Sequence, residues 1–263
     1  MVAHAQANLK LRAIGHGQPP AEPILPAMIS PRESLYLGHL GPIPLYVHWS
    51  ALFMVMMLYS SATGGGGFDL EYFLLALTVL LIGIILHELG HGMTARALGA
   101  FGVTITLWAF GGLCSSTRDN LPRRELLIIA AGPLVSFILA GIGYGSFYYL
   151  HDHNPDLLFD ASNHLNLLGR FLWLTGYINL WMGAFNSLPI YPLDGGQVVY
   201  NLILGTTGRQ LLARQVCLTM AVVGALAFLA WSVHSNDDRF DDSLIRTVIL
   251  LGWLVFNAFQ YLR

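Results

Sequence analysis

His87-Glu88-Leu89-Gly90-His91 sets two imidazoles four residues apart, with a carboxylate beside the first. On a helix, positions i and i+4 share a face, so both rings can reach one ion while Glu88 handles a water held there. In a chain with ten histidines among 263 residues, composition alone would produce this pattern roughly 0.007 times. A merely polar helix end is the plainer alternative. A third ligand is expected from Asp194, an acidic residue lodged in an apolar setting in Asn186-Ser187-Leu188-Pro189-Ile190-Tyr191-Pro192-Leu193-Asp194-Gly195-Gly196. Pro189 and Pro192 stop the preceding helix, and Gly195-Gly196 allow a sharp turn. Asp194 can also serve as the N-cap of a short helix over 197–204. Two histidines, one carboxylate and an open fourth position form the catalytic zinc pattern. Zinc lowers the pKa of bound water to about 7, and Glu88 would take that proton and pass it to a leaving amine. Asn186 either donates to a developing oxyanion or ties down the broken helix through a hydrogen bond.

The elements that must position these groups belong to a membrane. The chain is 55% hydrophobic and 11% charged, with a single lysine, Lys10, against about 25% charged residues in a soluble domain. This composition excludes an ordinary soluble domain. A net charge of −2 gives no case for nucleic-acid binding. Two cysteines, Cys114 and Cys217, cannot build a disulfide framework. The expected fold class is an all-α integral membrane protein with about six transmembrane helices. Spans are expected near 45–61, 70–92, 125–150, 166–188, 211–233 and 244–262, within a membrane domain over 35–263. A proline-rich, flexible cytosolic tail over 1–34, with no cleavable signal, would precede it. Short extended pieces are expected within 35–47. Phe101–Cys114 is too short to span, and Val103-Thr104-Ile105-Thr106 followed by Phe110-Gly111-Gly112 reads as a strand or hairpin near the site.

Depth and sidedness follow. His87 lies about 17 residues, or ~26 Å, along the second span of a ~30 Å hydrocarbon core. An unpaired charge there costs ~3 kcal/mol or more, so an ionisable cluster at that depth is a functional hypothesis by default. With the N-terminus inside, ten of the thirteen Lys and Arg residues fall on the inner side. Both termini are therefore expected in the cytosol, and the site near the cytosolic side of the cell membrane.

These residues resemble the site-2 proteases, zinc metalloproteases that cut within membranes. His87–His91 is similar to that family's H-E-x-x-H, and Asn186, Pro189 and Leu193-Asp194-Gly195 to its N-x-x-P-x-x-x-L-D-G. Phe110-Gly111-Gly112 resembles its F-G-G element, and Gly41–Trp49 the entry to the first span in one subgroup. The resemblance covers about 36–208 and is to a compact form without PDZ or CBS domain. It implies His87, His91 and Asp194 as ligands of one zinc ion and Glu88 as the catalytic acid/base. It implies as substrate the transmembrane helix of another protein, a single-span regulator released by regulated intramembrane proteolysis. Ser136 stands where that family often shows Asn, so no site role is assigned to it. A peptide bond must leave its helix before attack, and the freed backbone needs partners. A strand edge at Val103, Thr104, Ile105 and Thr106, with Phe110, Gly111 and Gly112, is expected to supply them by strand addition. The rival reading is a non-catalytic metal-binding or metal-transport membrane protein using the same ligands.

Overall fold

In a computed structural model of the chain, residues 34–62, 68–117 and 121–235 are described, with 248, 251, 252, 255, 256, 258 and 259 beyond them. The expected tail, apart from Ser34, and much of the expected span over 244–262 lie outside the described residues.

Strands β1 (Ser34–Leu40) and β2 (Ile43–His48) form an antiparallel hairpin. Gly41 turns it at a φ of 59°, a value that suits glycine because it has no Cβ. Helix α1 (Ala51–Ala62) and helix α2 (Leu70–Ala97) follow, then β3 (Phe101–Trp108) and β4 (Gly111–Thr117). The four strands make one sheet in the order β1-β2-β3-β4. β2 and β3 are parallel, with Leu45, Tyr46 and Val47 opposite Ile105, Thr106 and Leu107. Such a pairing needs a long crossover, which α1 and α2 provide. After β4 come α3 (Pro122–His153), the short 3-10 turn Pro155–Leu157, α4 (Leu167–Asn186), α5 (Asp194–Thr207) and α6 (Gln210–Ser235).

The described chain is thus mostly helical, with six helices and a small sheet. Three helical segments, Leu70–Ala97, Pro122–His153 and Gln210–Ala230, are long and apolar enough to cross a membrane. The apolar run over 45–61 divides differently from the expected single helix. Its first four residues belong to β2, and the helix begins at Ala51. Leu45 and Val47 pair in register with β3, so the backbone there satisfies its hydrogen bonds across strands. The 12 residues of α1 reach ~18 Å, short of a ~30 Å core.

Packing fixes how the long helices face one another. Ile43 and Leu45 of β2, with Val103, Ile105 and Leu107 of β3, share one buried cluster with Ile84 and Ala95 of α2 and Ile128 of α3. Gly92 is what lets the sheet sit on α2. A Cβ there would stand 2.9 Å from Ile43 Cδ1 and 3.2 Å from Val103 Cγ1. The starts of α2 and α4 are capped by side chains: Asp69 accepts from the Tyr72 N–H and Asn166 from the Gly169 N–H, both at 3.0 Å. Arg170 Nη1 lies 3.5 Å from Asp69 Oδ2 and 3.6 Å from Glu71 Oε1, so these two helix starts share one end of the molecule.

Candidate metal centre

His87, Glu88 and His91 occupy the buried face of α2 in its last three turns. His91 Nε2 is 3.2 Å from His87 Nε2. Asp194 arrives from a different element. Pro189 and Pro192 end the α4 helix, and Asp194 opens α5 in the first turn. The first turn of α5 folds tightly onto the preceding loop. A Cβ on Gly195 would overlap the Ser187 and Leu188 carbonyls, and one on Gly196 would overlap the Tyr191 backbone nitrogen. Gln197 Nε2 donates to the Pro192 carbonyl at 3.0 Å and closes the same loop. The outcome is that Asp194 Oδ2 stands 3.1 Å from His87 Nε2 and 3.4 Å from His91 Nε2.

Those three donor atoms form a triangle with sides of 3.1, 3.2 and 3.4 Å. Ligands of a tetrahedral ion bonded at about 2.0–2.1 Å are about 3.3 Å apart, so the donor set fits a zinc-sized cation. Among the described residues, this trio is the group of potential ligands able to hold a metal ion. The protonation pattern also fits. A carbonyl only accepts, so the 2.7 Å contact from His91 Nδ1 to the Ile128 carbonyl puts the ring proton on Nδ1 and leaves Nε2 open to a ligand.

Glu88 is buried beside the pair and is held from the sheet. The backbone N–H of Cys114 on β4 donates to its carboxylate. Gly112, on the same strand, leaves room for it, because a Cβ there would overlap Glu88 Cγ and approach Cδ and Oε1 to 2.7 Å.

The remaining expected site residues lie as follows. Asn186 is half-buried at the end of α4, and its Nδ2 donates to the Met182 carbonyl at 3.0 Å. Val103 and Ile105 point into the core between sheet and helices. β3 is an inner strand of the sheet, paired with β4 on one side and with β2 at Ile105–Leu107 on the other. The expected edge is therefore corrected at Ile105 and Thr106, whose other side is taken by β2, and β4 is the last strand of the described sheet beside the site. Phe110 packs its ring on Phe53 of α1 and on Trp108, each at 5.5 Å. Gly111 turns β3 into β4 at a φ of 136°. Two further residues meet the pair: Ser136, to which the sequence assigns no site role, brings Oγ to 2.8 Å from His87 Nδ1, and at Gly132 a Cβ would overlap the His91 ring. Their four-residue spacing was the available signal.

Two imidazoles from one helical stretch and one carboxylate from a separate helix start define a metal site of the zinc-peptidase kind. The chain belongs to peptidase family M50, whose sequence model matches residues 72–230. It is 28% identical over 246 residues to the protein Rip3 of Mycobacterium tuberculosis, covering 86% of this chain and 58% of that one. It is 29% identical over 204 residues to the zinc metalloprotease MJ0392 of Methanocaldococcus jannaschii, covering 74% of this chain and 55% of that one. The chain thus spans somewhat over half the length of these relatives. Its fold is that of the Site-2 Protease from Methanocaldococcus jannaschii, with a TM-score of 0.61 and 23% identity over 88% of this chain and 95% of that chain. Family, fold and the three long apolar helices make it an integral membrane protein.

Proposed function

We propose that this chain is a zinc-dependent endopeptidase that hydrolyses a peptide bond within or beside the transmembrane helix of a membrane-anchored protein, a single-span regulator. The observation that carries this reading is the triangle of His87, His91 and Asp194 donor atoms at tetrahedral spacing. A zinc ion bound there supplies Lewis acidity to the scissile carbonyl and makes water nucleophilic near neutral pH. Glu88 takes the proton of the attacking water and delivers it to the departing amine nitrogen. The Cys114 N–H keeps its carboxylate aimed, and the apolar wall of α2, α3 and the sheet excludes bulk water. Asn186 spends one amide hydrogen on Met182 and retains a second for the developing oxyanion. Substrate backbone, once unwound, aligns along β4, the last strand of the described sheet, near Glu88.

The orientation follows from charge. Arg96, Arg123, Arg124, Arg209 and Arg214 lie at or near the helix ends on the side of the site. Asp69, Glu71, Asp152, Asp156 and Asp160 lie toward the opposite end, where Arg170 is paired. The positive-inside rule assigns the first end to the cytosol of a cell membrane, with both termini inside.

Reconstitution with a single-span substrate tests the activity. Glu88→Gln should keep zinc and cut at least about 100-fold more slowly than wild type. Zinc bound equally by both, with no cleavage of single-span proteins by either, would favour a non-catalytic metal-binding protein instead.

A further inference from the structure

Three positions on α3, Ile128, Gly132 and Ser136, are spaced by four residues and meet the histidine pair in turn. The Ile128 carbonyl accepts the Nδ1–H of His91 at 2.7 Å. Gly132 leaves the space between, where a Cβ would overlap the His91 ring and stand 2.7 Å from His87 Nε2. Ser136, 0% exposed, brings Oγ to 2.8 Å from His87 Nδ1. α2 and α3 run antiparallel here, so the step forward from Ile128 to Ser136 on α3 runs back from His91 to His87 on α2.

We propose that this stripe is a built-in outer frame for the metal ligands, and that Ser136 is the positioning residue for His87. The inference rests on the zinc reading above and adds residues that act through the ligands. Ser136 Oγ anchors the ring by Nδ1 and so turns Nε2 toward His91 and Asp194. When Nε2 binds a cation, the ring proton sits on Nδ1 and needs an acceptor. Inside an apolar helix pair the described acceptor is Ser136. Without it, a buried donor is left unsatisfied in the ligated state. The loss therefore falls on metal affinity more than on the fold.

The test uses the full-length chain in detergent, titrated with zinc against a chromophoric chelator. Ser136→Ala is expected to weaken zinc binding about 10–100-fold, while the metal-free protein melts close to wild type. Ser136→Thr, which keeps the hydroxyl, restores binding. Equal affinity of Ser136→Ala and wild type overturns the proposal. If neither variant folds, nitrogen NMR of the zinc-loaded wild type decides. A slowly exchanging Nδ1–H on His87 is expected, and exchange as fast as in an exposed imidazole overturns the frame. A wild type that binds no zinc sinks the metal reading itself, a result separate from failure of the frame alone.

Discussion

Glu88 and the Gly112 packed against it show how little tolerance the centre has at the scale of single residues. The H-E-x-x-H string fixes which groups can act, yet the residues that aim them carry no ionisable side chain. Gly112 is one. A methyl group there would run into Glu88 Cγ, the buried stem of the carboxylate, and would push the group off the Cys114 N–H. Gly112→Ala should therefore lower peptide hydrolysis by about 100-fold or more while zinc content stays at the wild-type level. Hydrolysis rates beside metal analysis of the purified variant check it, and parallel loss of both would place Gly112 in the metal site instead. The ligands were legible in the sequence because the chemistry demands particular residue types at particular spacings. Ser136 was not. A serine in an apolar span has many ordinary uses, and only the antiparallel seating of α3 on α2 brings its hydroxyl to His87.

Elements were legible to different degrees for physical reasons. The long helices announce themselves by apolar length. α2 starts at the expected Leu70 and runs past the expected end at 92 to Ala97. The run Val103–Thr106 announces a strand because four β-branched residues suit a pleated surface better than a helix. What a single strand cannot announce is its neighbours. The parallel pairing of β2 with β3 joins residues about 60 positions apart and follows from how α1 and α2 cross over. That pairing leaves β4, not β3, as the last strand of the described sheet beside the site, which has a consequence for the proposed substrate docking. A photo-crosslinking side chain placed at Ser115 on β4 should capture a transmembrane substrate in a Glu88→Gln background. The same side chain at Tyr46 on β2, inside the sheet, should not. Capture at Tyr46 in preference to Ser115 would remove β4 as the docking strand.

At the scale of the whole molecule, sidedness is the property that turns a metal site into a specific position in the bilayer. The helix geometry sets two ends apart independently of charge. α2 and α4 begin together, joined by Arg170 to Asp69 and Glu71, whereas the end of α2 meets the start of α5 through His87, His91 and Asp194. On the proposed orientation, charge assigns the ends. Juxtamembrane arginines collect on the side of the metal site, and the acidic loop after α3 lies opposite. This loop is folded on itself, with Asp160 accepting the backbone N–H groups of Ser162 and His164 at 2.8 and 3.0 Å, which holds its carboxyl below the usual carboxylate range. Cysteine introduced at exposed Asp156, in that loop, should react with a membrane-impermeant maleimide on intact cells. Cysteine at exposed Arg209, between α5 and α6, should react only after the membrane is opened. Native Cys217 is buried and Cys114 half-buried, so the unmodified chain supplies the background. The reverse pattern would put the metal site near the outer surface, and with it the products: a cleaved single-span regulator would then shed its fragment outward and could not deliver it to the cytosol.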